Sequence, residues 1–180
     1  MIDLTKRSLP NTVSVGGRDF SVYTDFRLWM RFENEISHMK RGDRIDIGYL
    51  FKNAKPVNCN IQELFAFSRP KEELPRSSSH SDVIVLDYML DADYIYSAFF
   101  GQYGIDLLEV EELHWHKFLA LFRGLKDDEV IKRIMSYRCY EKSGAQKDVY
   151  EELRRAWEIE YVSEEEQEET EKFSSYFNER

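Results

Sequence analysis

Cysteine is almost missing from this 180-residue chain, which contains only Cys59 and Cys139. Two thiols do not make a disulfide framework, and free thiols in a reducing compartment are the simpler reading. Long apolar runs are missing too. Nothing approaches the roughly eighteen consecutive apolar residues of a membrane span, and the opening MIDLTKRSLP has no apolar run of signal-peptide length. Basic charge is in deficit: 25 Lys and Arg stand against 34 Asp and Glu, a net charge of −9. Binders of the phosphate backbone present basic surface, so neither nucleic acid nor a membrane is an expected partner. The motifs G-x-x-x-x-G-K-[ST], G-x-G-x-x-G and G-x-S-x-G do not occur. Their absence removes the usual phosphate cradles and the usual hydrolase nucleophile. No internal repeat is visible. The chain reads as one soluble, intracellular domain.

What is present is apolar patterning. Apolar residues make up 42% of the chain and aromatics 14%, enough for a real core. Val13 and Val15 alternate with polar residues before Gly16–Gly17, and Phe20 and Val22 alternate after them. Two glycines between such runs predict a hairpin. A helix capped by Thr24 or Asp25 follows, with Trp29, Phe32, Ile36 and Met39 at helical spacing and Gly42 as its end. A short helix near 44–53 carries Ile47, Leu50 and Phe51. Asn60 and Glu63 have capping-box spacing for another, with Ile61, Leu64 and Phe65 on it. Val83, Ile84 and Val85 suit a strand, though a run this short is not resolved by period alone. Asp91 caps a predicted helix over 92–103 with Ile95, Phe99 and Phe100 inward and Gly104 as its stop. Helices are predicted over 110–123, then from about 127 with Val130, Ile131, Ile134 and Met135 inward, and finally over 146–172. The fold class is mainly α: a helical domain with a small N-terminal β-hairpin.

The only stretch that looks like chemistry is ELHWHKFLALFRGL, residues 112–125. Within a helix, His114 and His116 stand about 200° apart and face opposite ways. Helical metal pairs are spaced i, i+4, so these two do not share an ion. His114 is expected half-buried and bonded to backbone, and His116 at the polar edge, dispensable to the fold. Trp115, Phe118, Leu119 and Phe122 form the inward stripe. Asp87, Asp91 and Asp93 lack the glycine and terminal glutamate of a calcium loop and read as helix caps. Ser77–Ser79 with His80 read as solvated loop.

Residues 1–162 are assigned to a single domain, interrupted by a mobile loop near 71–81, where serines and charges lie between prolines. Residues 163–180 form an acidic C-terminal arm. The apolar stripe Val149, Tyr150, Leu153, Trp157 and Tyr161 gives way there to a run of glutamates. Phe173, Tyr176 and Phe177 then resume apolar character, which makes them candidate partner-binding residues.

Three stretches carry a family resemblance: YTDFRLWMRFE at 23–33, DADYIYSAFFGQYGIDL at 91–107 and LHWHKFLALFRGL at 113–125. IMSYR at 134–138 closes the pattern. They resemble the "gene-product fifteen" family of tailed phages and prophages of Gram-positive bacteria. The signature positions are Asp25, Phe26, Arg27, Tyr103, Gly104, Leu113, His114, Trp115 and Phe118, with structural roles. Members usually read Leu-His-Trp-Trp-Lys-Phe, so His116 stands where the family has tryptophan. No catalytic residue is associated with the family, so the resemblance implies no enzyme, no metal and no cofactor. The family's gene lies just before the tape-measure gene. That position implies a tail assembly chaperone, working in the cytoplasm of the infected or lysogenic host. It would bind the tape-measure protein and help recruit tail-tube protein, and a homo-oligomer is compatible with this role. The alternatives are a minor tail protein retained in the virion and a metal-dependent enzyme using His114, Asp91 and Asp93.

Overall fold

The computed structural model describes residues 2–40, 42–53, 55–57, 59–69, 83–139 and 147–159. The expected loop at 71–81 and the arm at 163–180, with Phe173, Tyr176 and Phe177, lie outside them. The fold is mainly α: among the described residues, six α-helices follow a two-stranded antiparallel hairpin.

Strands β1 (Thr12–Val15) and β2 (Arg18–Ser21) pair with Val15 opposite Arg18. Gly16 and Gly17 make the turn at φ 56° and 77°, the double positive φ of a type I′ turn. Val13 and Val15 point into the core, against helix α2 (Ile61–Ser68). One carboxylate fastens the two elements together. Glu63 Oε2 accepts from Asn60 N–H to complete the predicted capping box, and Oε1 accepts from Gly16 N–H at 2.8 Å. A bridge between Val22 and Phe51, beside a single 3-10 turn at Gly48–Leu50, extends the small β layer.

Helix α1 (Phe26–Ser37) buries Phe26, Trp29 and Phe32. It stops at His38, short of Gly42, because the His38 ring bonds the Asn34 carbonyl through Nδ1 and closes the last turn. Helix α3 (Ala92–Tyr103) ends as expected on Gly104 in the left-handed conformation, φ 66°. Helices α4 (Trp115–Arg123), α5 (Val130–Arg138) and α6 (Lys147–Trp157) complete the set.

The core is an aromatic stack centred on Phe118. Its ring lies 4.9 Å from Phe99, 5.2 Å from Phe26, 5.5 Å from Trp115 and 6.0 Å from Phe122, all near parallel. Two helix-facing expectations and one helix start are corrected. Phe100 is exposed, because α3 turns Ile95, Ala98 and Phe99 inward and Phe100 lies a further 100° round. Val130, at the first position of α5, is exposed while Ile131 and Ile134 are buried. Residues 83–86 pair with no strand among the described residues, and Asp87–Asp91 form one helical turn closed by Asp91 N–H to Asp87 C=O. Helix α4 begins at Trp115, not 110, for a reason that lies in the joint it shares with α1.

Candidate functional site: a joint shared by two helix starts

Asp25 and His114 face each other across an isolated antiparallel bridge. Phe26 N–H donates to Leu113 C=O at 2.9 Å and Trp115 N–H to Thr24 C=O at 2.7 Å. Both bridge residues take the same backbone conformation, φ −60° and ψ 134°, the extended geometry of an N-cap. Each then caps its own helix. Asp25 Oδ1 accepts from Arg27 N–H, and His114 Nδ1 accepts from His116 N–H, both at 3.0 Å. One bridge therefore starts two helices, and the backbone donors that a helix start leaves unpaired find partners within the joint. Arg27 clamps it from outside. Its guanidinium pairs with Asp25 and donates to the carbonyls of Leu107 and Val110 at 2.9 and 2.8 Å.

The two histidines are closer than helical spacing predicts, with ring centroids 5.1 Å apart. His114 is a cap on extended backbone rather than a helical residue, so the 200° argument does not apply to it. His114 Nδ1 accepts a backbone N–H, so its proton sits on Nε2, which donates to Pro10 C=O at 2.9 Å. His116 is not at a polar edge. It is buried, and its Nε2–H donates to Phe67 C=O at 2.8 Å. Beside it, Trp115 Nε1–H donates to Ser68 C=O at 2.9 Å. Consecutive rings of α4 thus satisfy consecutive carbonyls at the C-terminal end of α2, which would otherwise be orphaned. His116 Nδ1 has no hydrogen-bond partner. Burial pushes the His116 imidazole down to about 4 and lowers His114 as well. With three of the four ring nitrogens committed to backbone, the pair has little left for a ligand. Among the described residues no group of three or more His, Cys, Asp or Glu is placed to hold a metal ion.

The sequence of this joint can now be set against known proteins. The family described as Bacteriophage Gp15 protein matches residues 6–161. The chain belongs to that family. Curated proteins and solved structures gave no match. In this Gp15 family member the match runs from before the hairpin to just past α6 and contains all nine signature residues. Seven of them, Asp25, Phe26, Arg27, Leu113, His114, Trp115 and Phe118, meet at the joint or stack directly beneath it. Tyr103 and Gly104 sit apart at the end of α3. There Tyr103 packs edge-on to Phe99 and donates its hydroxyl to Leu121 C=O at 2.8 Å. Phe173, Tyr176 and Phe177 lie beyond the match.

Sequence reading missed one polar node. Asp91 does not cap α3 with its side chain. It is buried against Arg138, with Nη1 to Oδ2 at 2.6 Å and Nη2 to Oδ1 at 2.9 Å. Arg138 also donates to Trp157 C=O at 2.7 Å and Val85 C=O at 3.2 Å. One guanidinium therefore ties α3, α5, the end of α6 and the 83–91 segment. The capping role falls instead to Asp87, whose Oδ1 accepts from Met89 and Leu90 N–H. The signal was legible: Ile131, Ile134 and Arg138 share one face at i, i+3, i+7, and an arginine on an apolar stripe calls for a buried carboxylate.

Proposed function

We propose that this protein is a phage tail assembly chaperone that binds the tape-measure protein and helps recruit tail-tube protein in the cytoplasm of the infected or lysogenic host. The observation that carries the reading is membership of the Gp15 family over residues 6–161, joined to the gene position that the resemblance implies. The signature residues make backbone contacts and core packing: Arg27 donates to Leu107 and Val110 C=O, His114 to Pro10 C=O, and Trp115 to Ser68 C=O.

Co-expression with the product of a long, helix-rich reading frame downstream of its gene tests the proposal. A stable complex that keeps the tape-measure fragment soluble is expected, as is absence of the protein from mature virions by mass spectrometry. Stoichiometric presence in virions would favour a structural tail component instead.

A further inference from the structure

We infer that the outer face of α3 is a docking surface for a cationic amphipathic helix. Residues 83–113 contain seven Asp and Glu and not one Lys or Arg. Asp87 and Asp91 are buried, but Asp93, Asp106, Glu109, Glu111 and Glu112 are not. Amid this acidic stretch stands an apolar strip. Met89 is 69% exposed, Leu90 65%, Phe100 54% and Leu108 81%. The 87–91 turn leads into α3 with helical hydrogen bonding, so Met89, Asp93, Tyr96 and Phe100 fall at i, i+4, i+7, i+11 on one face. Tyr96 stacks on Phe100 at 6.0 Å. The Tyr96 hydroxyl donates to Asp106 Oδ2 at 3.0 Å, while Asp106 Oδ1 accepts from Leu108 N–H at 2.9 Å. That carboxylate holds the Leu108 turn alongside the strip. From Met89 to Phe100 this face runs about 16 Å, three helical turns, with the exposed carboxylate of Asp93 set between its apolar ends.

An exposed apolar strip on a segment whose own charges are all acidic marks an interaction surface. A three-turn strip fits the helix-in-groove mode of recognition, and the carboxylate rim selects Lys and Arg flanking the partner's apolar stripe. Arg27, the one cation among the described residues that reaches the 107–110 turn through hydrogen bonds, has its guanidinium occupied by Asp25 and two carbonyls. The inference rests on the proposed binding role and names the chemistry of its partner.

The test is a titration of the full-length protein with an 18-residue Leu/Lys peptide of helical pattern and its Leu/Glu counterpart. The Leu/Lys peptide is expected to bind saturably. Phe100→Ser and Leu108→Ser should each weaken it roughly tenfold, about 1.4 kcal/mol. Asp93→Lys with Glu109→Lys should weaken it further and flatten its salt dependence. Val57→Ser, at a still more exposed apolar residue elsewhere, should leave it unchanged, as should removal of residues 163–180. Melting curves establish that each variant is folded. Unchanged binding in the α3-face variants, equal binding of the Leu/Glu peptide, or loss of binding with residues 163–180 would each overturn the inference. The probe contains no phage protein, so failure to bind a tape-measure fragment while peptide binding persists would count against the tail-assembly reading alone.

Discussion

At the scale of single residues, His116 joins a buried backbone contact to a ring that titrates. The resemblance places tryptophan there, and an indole N–H can donate to the Phe67 carbonyl as the imidazole does. Imidazole adds a bare buried Nδ1 and a titration. The folded value is about 4 and the unfolded value about 6.5. Between them the unfolded chain holds the extra proton, so stability is full above pH 6.5 and falls as pH drops towards 4, by up to roughly 3 kcal/mol. His114 is lowered too and adds to the same slope. His116→Trp should fold, keep the donor and shrink the difference between urea midpoints at pH 7 and pH 5. An undiminished difference would show that His116 does not carry the acid sensitivity. A second residue-scale outcome concerns Asp91. Asp91→Ala strands the buried Arg138 guanidinium and should cost about 3–5 kcal/mol. Adding Arg138→Met should recover much of that loss in chemical denaturation, since an unpaired charge is then no longer buried.

At the scale of elements, the joint explains what was and was not legible. The hairpin, the α2 capping box, the Gly104 stop and the Trp115–Phe118 stripe follow from local rules, and all appear. The start of α4 does not. Residues 110–113 continue a helical apolar pattern, yet Leu113 is held extended because its carbonyl takes the N–H of Phe26. Sequence distance hides that contact, and with it the burial of His116 and the proximity of the two rings. The Asp91–Arg138 pair was hidden in the same way, although the arginine's place in the α5 stripe announced it. Arg138 also fastens the end of α6, so Arg138→Met should speed amide exchange in the last turn of α6 and in 83–91 while leaving the hairpin protected. Uniform protection across all three regions would show that the guanidinium does not hold them.

At the scale of the whole molecule, every buried apolar residue among those described lies between Val13 and Ile134, and the family match ends at residue 161. Removing residues 163–180 should therefore leave the melting temperature within a few degrees of the intact protein. A large drop would place part of the core in the arm. The Asp25–His114 bridge has a further consequence, for synthesis. Its two residues are about ninety positions apart, a loop whose closure costs on the order of 4 kcal/mol of chain entropy. On the ribosome, α1 emerges long before the carbonyl that receives Phe26 N–H has been translated. The Asp25 side chain can cap it locally, but Phe26 N–H must wait for Leu113 C=O, and until then Trp29 and Phe32 have no finished core to enter. The nascent chain passes through a window of exposed aromatics that closes only once the HWH segment has cleared the exit tunnel.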